Sequence, residues 1–502
     1  MDTDIVVVGG GPNGLLTACE LALAGVRPVV LERLPERSTM PKANGLVGRV
    51  VIALHYRGLY RLFSQNEGEP RPVPGFQFGA LHYDLSGVDD NPMHVLPIPQ
   101  SRIEELLERR AAELGVDIRR GHEVTGLSQR HDAVTVEVHG PESGYQLSAH
   151  YLVGADGGRS TVRKLAGIDF PGTSEEGFIG RSGQVGIQPS VTIAGTGELE
   201  VAGFGRLRPA TFTRTDRGLF AYGMFQPGVY RVSVHEWGQE PLPDSESIPL
   251  EELSAAAGRV LGGDLPMTAP PDGHPLRLTR TTTAQSRQAD RYRSGRVFLV
   301  GDAAHVHSGI GGPGLNLGMQ DAINLAWKLA AACNGWAPAG LLDTYQTERH
   351  PVGRRVIMST RAQAALIGPG PKITALRELL GELFQDTSTT RRVANLMAGA
   401  DTRYSTGDHP LTGTWMPNLA LDNGSSIASL MHPARPVLLQ LAGTAASSIT
   451  TGWHDRIDIV TASTPRPPAD AILIRPDGYV AWAGQPPHEL ESALHTWFGE
   501  PR

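Results

Sequence analysis

Two cysteines, Cys19 and Cys333, are all that this 502-residue chain contains. They lie far apart in sequence, which excludes a disulfide framework, a CxxC redox pair and a thiolate metal site. No run of about 18 apolar residues occurs, so no membrane span and no membrane partner are expected. The Met1 end carries Asp2 and Asp4 where a secretory signal would carry Lys or Arg, and a cytoplasmic protein is expected. Positive charge is not in excess: the formal net charge of −7 argues against nucleic acid as a partner. No G-x-S-x-G occurs, so a serine hydrolase of the α/β type has no support.

What is present begins at residue 4. "DIVVVGGGPNGLLTACELALAGVRPVVLER" runs a β-branched stretch, Ile5 to Val8, into glycines and then into a helical pattern. Gly9, Gly11 and Gly14 form G-x-G-x-x-G. Gly9 permits a tight turn, Gly11 lets backbone approach a pyrophosphate, and Gly14 lets helix pack on strand. The helix that opens at Pro12 offers the free N–H groups of its first turn, Asn13's among them, and partial positive charge to phosphates. Glu32 closes the next strand, where a carboxylate can accept from ribose hydroxyls. Strand, helix, strand and acid in this order predict a dinucleotide site.

Five hundred residues exceed what one core usually serves, so two or three domains are expected. Ser101 and Glu104 spell a capping box, S-x-x-E, ahead of Ile103, Leu106, Leu107 and Leu114 at helical spacing. Gln100 precedes that cap. "VDIRRGHEVTGLSQRHDAVTVEVHG" reads as short strands. Residues 171–285, with "GLFAYGMF" and "VYRVSVHEW", read as a separate antiparallel sheet. Met319, Ile323, Ala326, Ala330 and Cys333 form the core stripe of one long helix, which gives Cys333 a packing role. "TRYSTGDHPLTGTWMPN" reads as a polar linker, and the tail as strand, strand, hairpin and helix, with Pro476-Asp477-Gly478 as the hairpin turn.

Two further motifs stand on this frame: Asp156-Gly157-Gly158-Arg159-Ser160 after the strand "YLVGA", and Gly301-Asp302-Ala303-Ala304-His305 followed by "GPGLNLGMQDAINLAWKL". With the N-terminal fingerprint, in this order and spacing, they resemble the FAD-dependent aromatic hydroxylases, the single-component flavoprotein monooxygenases. The likeness covers residues 3 to about 390, and within the family it is strongest to bacterial enzymes that tailor aromatic polyketides and phenols.

The resemblance implies an α/β, Rossmann-like FAD-binding domain over 1–170, with 75–97 contributing to the substrate domain. It further implies an inserted antiparallel substrate sheet over 171–285, a return to the FAD domain with long helices over 286–398, and a thioredoxin-like module over 399–502 that here lacks redox cysteines. It implies non-covalent FAD, NADPH or NADH as transient reductant, dioxygen, a small aromatic substrate and a monomer or homodimer. Glu32 and Arg33 would sit at the adenosine ribose, Gln100 at the diphosphate or ribityl chain and Val124 at the adenine through its backbone. Asp156 and Gly157 would lie near FAD and the nicotinamide. Gly301 and Asp302 would lie at the ribityl chain, and Pro313, Gly314, Leu315 and Asn316 would form a helix start at the flavin N1–C2 carbonyl edge. Lys42 stands where the family usually has Arg, and Arg49 is kept from the segment that follows. Arg forks onto two oxygens where Lys offers a point charge.

His305 and His307 form H-x-H, a pattern that needs further ligands for a metal; His305 already belongs to the flavin motif, and no metal is expected. Only one G-x-G-x-x-G occurs, unlike the disulfide reductases. The implied chemistry is attack of an electron-rich ring carbon on a flavin C4a-hydroperoxide in a site that excludes water. Baeyer–Villiger insertion into a ketone and a flavin-bound protein without turnover remain open. No general base can be named. Tyr222, Phe225 and His235 lie in the substrate region, with core packing expected for each.

Overall fold

The computed structural model describes residues 1–502 except Thr39, Pro41, Pro241, Asp272, Thr406, 442–449, Pro487 and His488, and except the side chains of Phe225 and Thr451. At its centre is a six-stranded sheet. The spatial order is Arg293–Ser294, Val297–Leu299, Tyr151–Gly154, Ile5–Val8, Pro28–Glu32 and Asp117–Arg120. All neighbours are parallel but the first pair. Ile5, Val6 and Val7 are fully buried, as a parallel strand covered on both faces requires. Helix Pro12–Leu23 covers one face and packs on the long helix Pro313–Cys333.

The inserted sheet is antiparallel throughout, in the order Thr211–Arg214, Gly218–Gln226, Val229–Trp237 and Phe178–Ile187, with Met267–Thr268 and Arg277–Thr281 sharing the far edge. Its alternating apolar residues, Val185, Phe220, Val232 and Val234 among them, pack on helix Leu250–Leu261. Two boundaries differ from the sequence reading. Strand Gly172–Glu175 pairs with Ala284–Gln288 and, through it, with His305–Val306, outside the inserted sheet. In 75–97, the hairpin Gly75–Phe78/Leu81–Asp84 meets the inserted sheet through Gln77, whereas Val95–Pro97 pairs with Gly45–Val47 beside the nucleotide fold.

Ser101 does not cap its helix. The helix spans Gln100–Glu113 with Pro99 at the cap, and the Gln100 amide donates to Glu104 Oε1 at 2.8 Å. Proline fixes the extended turn, which moves the cap two residues earlier, to Pro99, and puts Ser101 inside.

Residues from Val437 onward form a four-stranded sheet, Asp458–Thr461, Val437–Gln440, Ala471–Ile474 and Val480–Gly484, closed by helix Leu490–Phe498. This tail shares one core with the body: Leu15, Leu16, Val50, Met319 and Ile323 pack with Trp415, Met416, Leu439 and Ile472. The stretch 402–418, which reads as a polar linker, is irregular, but Trp415 and Met416 are buried and Met416 O accepts from Tyr56 Oη at 2.7 Å.

Charges are buried at the same junction. Arg475 donates to Glu348 Oε1 at 2.6 Å and Oε2 at 2.8 Å, and bonds Asp477; Lys328 Nζ donates to Glu348 at 2.7 Å. Arg57 pairs with Glu20 at 2.7 Å and donates to the carbonyls of Met431 and Pro476. Removing one member of such a set leaves a charge buried without its partner. Arg475→Ala is therefore expected to destabilise the protein by about 3–5 kcal/mol, read as a lower denaturation midpoint; a change under about 1 kcal/mol would show the set to be dispensable.

Candidate active site

A cleft of about 840 Å³ opens where the carboxyl ends of the parallel strands meet the inserted sheet. That is the crevice in which open α/β sheets bind ligands, and the volume lies within the roughly 300–1,000 Å³ usual for cofactor sites.

The glycines build its floor. Gly9 has φ +110°, and a Cβ there would lie 2.4 Å from the Ala155 carbonyl oxygen. A Cβ on Gly14 would lie 1.9 Å from the Gly9 carbonyl oxygen, so Gly14 sets the helix–strand approach. A Cβ on Gly11 would meet nothing within 4 Å and would project into open space. Among the described residues, the N–H groups of Asn13 and Gly14 have no protein acceptor. Glu32 accepts from Gly10 N at 2.7 Å through one oxygen and from Leu34 N at 2.8 Å through the other. The carboxylate is thereby fixed at the cleft wall with lone pairs left over.

The opposite wall is the start of helix Pro313–Cys333. Gly312 caps it at φ +69° and Pro313 occupies the first turn. The N–H groups of Gly314, Leu315 and Asn316 find no protein acceptor among the described residues, so the positive end of the helix dipole faces the cleft. Asp302 is exposed at the same end and its carboxylate has no protein partner among the described residues.

Most of the residues named from sequence converge here. Gly9, Gly11, Pro12, Asn13, Glu32, Arg33, Lys42, Gln100, Val124, Asp156, Gly157, Asp302, Gly314 and Leu315 line the cleft. Gly14, Gly301 and Pro313 shape it from behind; a Cβ on Gly301 would strike Asn13 Nδ2 at 2.1 Å.

One assignment changes, and two other side chains turn to protein partners without altering theirs. Arg49 does not line the cleft. Its guanidinium lies 5.1 Å from the Trp415 ring centre, at the junction with the tail, because it opens helix Arg49–Tyr56 on the far side of strand Gly45–Val47. Asn316 turns its side chain to protein, accepting from Val47 N at 2.8 Å and donating to Gly312 O at 2.5 Å. Asp156 lines the cleft, and its oxygens accept from Ser160 Oγ at 2.5 Å, Thr161 N at 2.7 Å and Val162 N at 3.0 Å, backing Ser160, which caps helix Thr161–Leu165.

Comparison with known proteins gives the same reading. The family model described as "FAD binding domain" matches residues 2–360, and that described as "Aromatic-ring hydroxylase, C-terminal" matches residues 409–501. The chain belongs to the FAD-dependent aromatic hydroxylases. It is 42% identical, over 100% of both chains, to the 12-dehydrotetracycline 5-monooxygenase/anhydrotetracycline 6-monooxygenase of Streptomyces rimosus. The solved anhydrotetracycline hydroxylase from Streptomyces rimosus superposes with a TM-score of 0.87 at 41% identity, covering 100% of both chains. The dialkyldecalin synthase of Streptomyces rugosporus is 36% identical over 99% of both chains. This hydroxylase is thus a FAD-dependent monooxygenase, and among its described residues no helix is long and apolar enough to cross a membrane.

Under the Gly301–His305 motif the hydroxylase buries an ion set. Asp321 accepts from His305 Nε2 and Arg349 Nε, both at 2.7 Å, and from Gly301 N at 3.2 Å. Burial raises the Asp321 carboxyl, but the Arg349 guanidinium and the hydrogen bond with His305 outweigh it and hold the carboxyl below its ordinary range. His305 is therefore engaged in fixing the loop. His307 donates from Nδ1 to Ser308 O at 2.9 Å, and burial lowers its pKa.

The substrate side comes from residues without a motif. Phe76 and Gln77 of the hairpin, and Ala210 and Phe212 of the inserted sheet, wall the cleft. Tyr222 and His235 are packing groups: Tyr222 Oη donates to Leu207 O at 2.8 Å, and His235 stacks on Phe178 with its pKa lowered to about 4 by burial. Phe225's side chain lies outside the described residues. Cys19 and Cys333 are structural thiols, each pushed up to about 12 by burial.

Asp302→Ala is expected to weaken FAD binding roughly ten- to hundred-fold while leaving the fold intact, the loss of one hydrogen bond involving a charge. Flavin dissociation followed by fluorescence checks it; an unchanged constant refutes the contact.

Proposed function

We propose that this monooxygenase uses NADPH or NADH and dioxygen to hydroxylate a phenolic or polycyclic aromatic substrate of the polyketide type. The observation that carries the reading is the cleft itself: two helix N-termini with unmet N–H groups face one space, with Gly11 bare at its floor and a fixed carboxylate at its end. That donor set fits FAD. Gly11 and the N–H groups of Asn13 and Gly14 would receive the diphosphate, and Glu32, with Arg33 beside it, the adenosine ribose. Val124 would meet the adenine through backbone. Asp302 would take a ribityl hydroxyl, and Gln100 and Lys42 lie along the same run of the cleft. The N–H groups of Gly314 and Leu315 would face the pyrimidine edge, where negative charge gathers on reduction.

Bound without a covalent link, FAD supplies hydride acceptance and the activation of dioxygen. The chain's own part is to orient and to exclude water. Phe76 and Phe212 give the cleft an apolar wall, Val47 adds to it beside the helix start, and Gln77 holds the wall by accepting from Phe212 N at 3.0 Å and donating to Ala210 O at 3.3 Å. A dry wall limits the loss of reducing equivalents as hydrogen peroxide. The relatives named for anhydrotetracycline support a fused-ring substrate. The divisions 1–170, 171–285, 286–398 and a thioredoxin-like 399–502 belong to the same reading, with Gly172–Glu175 and Ala284–Gln288 set outside the inserted sheet, and so does a monomeric or homodimeric cytoplasmic enzyme.

The purified protein is expected to be yellow and to release FAD on acid precipitation. With isotope-labelled dioxygen, NAD(P)H and anhydrotetracycline, the product mass is expected to rise by one labelled oxygen on a ring carbon. Label in a new ester would assign Baeyer–Villiger insertion. NAD(P)H consumed only to peroxide, or not consumed, would remove the hydroxylation reading and favour flavin binding without oxygen transfer, toward which the dialkyldecalin synthase relative points.

A further inference from the structure

The two faces of the inserted sheet treat arginine in opposite ways. On the face against helix Leu250–Leu261 every arginine has a carboxylate. Arg181 bonds Glu236 at 2.7 Å and Glu252 at 2.8 Å, Arg259 from the helix bonds Glu236 at 2.7 Å, and Arg280 bonds Glu252 at 2.7 Å. Strand alternation puts Arg231 and Arg277 on the other face. The register aligns Gly223, Arg231, Gln184 and Arg277 in one row across four strands, and Ala221, Ser233, Ser182 and Thr279 in the next. No strand position on this face is acidic. Among the described residues neither Arg231 nor Arg277 makes an ion pair: Arg231 donates only to Ser182 Oγ at 3.3 Å, and Arg277 only to Met40 Sδ at 3.4 Å.

This face is covered. Its residues are half-buried, and burial lowers the Arg231 pKa without discharging a guanidinium. Two cleft-lining loops touch its ends. Met40, two residues before Lys42, meets Arg277. Ile310, between Gly309 and Gly311, packs with Leu219, which lies on the same face one row beyond Ala221. Phe212, which pairs with Ala221 at the end of the second row, lines the cleft, and Arg231, Gln184 and Arg277 lie on the same face behind it rather than among the cleft walls. A half-buried guanidinium there, with donors to spare and no carboxylate partner among the described residues, is a site for an oxyanion.

We propose that Arg231, with Gln184 and Arg277 beside it, recognises the ionised oxygen of the substrate, an acidic phenol or an enolised dicarbonyl. The proposal rests on the hydroxylase reading above for its substrate class. It assigns the row a specificity role: the cation favours the phenolate, so the enzyme selects substrates acidic enough to bind ionised.

The test uses the oxidised holoenzyme and two probes, alizarin at a pH where it is ionised and its uncharged dimethyl ether. Binding is read by calorimetry, which needs no turnover. Wild type is expected to prefer alizarin by about ten- to hundred-fold, one charge-assisted hydrogen bond. Arg231→Leu is expected to abolish the preference while leaving FAD content and affinity for the ether unchanged, and Arg231→Lys to keep part of it. Should Arg231→Leu not fold, Gln184→Glu serves: an acid in the row should weaken alizarin about tenfold or more and leave the ether unaffected. A wild type without preference, or an Arg231→Leu or Gln184→Glu holoenzyme that keeps it, overturns the proposal. Failure of the hydroxylase reading shows instead as absent FAD or absent oxygen transfer, whatever the binding preference.

Discussion

One helix, Pro313–Cys333, holds the molecule together, and it does so with polar side chains in its interior. Asp321, Asn324 and Lys328 follow at three and four residues, one buried stripe on a helix that is buried nearly all round. Asp321 clamps His305, Arg349 and the Gly301 backbone; Asn324 and Lys328 meet Glu348, which also takes Arg475 from the tail. The same helix begins at the cleft. Flavin motif, helix start and tail are thus referenced to one rigid element, and none can shift without breaking a buried charge contact.

That arrangement explains what the sequence disclosed and what it hid. G-x-G-x-x-G was legible because each glycine answers a steric demand that no other residue meets: Gly9 and Gly14 in close approach, Gly11 in leaving space open. The long helix was legible through Met319, Ile323, Ala326 and Ala330, and its polar stripe was not, since Asp, Asn and Lys at helical spacing read like a solvated face. The tail's elements were legible by alternation and the Pro476–Gly478 turn. Its union with the body was not, because Trp415 and Met416 sit in a stretch whose composition is that of a linker. Ser101 differs for a local reason: a capping signal two residues further on is outranked by Pro99.

The site divides in the same way. Its cofactor side was readable because backbone geometry binds phosphate and ribose, and backbone geometry leaves glycines and an acid at fixed spacing. Its substrate side was not, because Phe76, Gln77 and Phe212 are single residues from separate hairpins and strands, brought together by topology alone. Arg49 shows the limit of carrying a role by motif: the residue is present, and the fold turns it to the tail.

The link between Arg475 and Glu348 has a consequence in time. The partners are 127 residues apart, and Arg57 reaches Pro476 across 419 residues. A ribosome delivers Lys328 and Glu348, already a pair, long before it delivers the strand and turn with Arg475 and Asp477 that complete the set, so the nascent body carries an unfinished polar cluster and an uncovered apolar surface until the last few dozen residues emerge. Pairings at such sequence separation close late and leave that surface open to other chains meanwhile. A product that stops short of Arg475 leaves Glu348 Oε1 without the donor it has in the complete fold, and the body's apolar face without the strands that cover it.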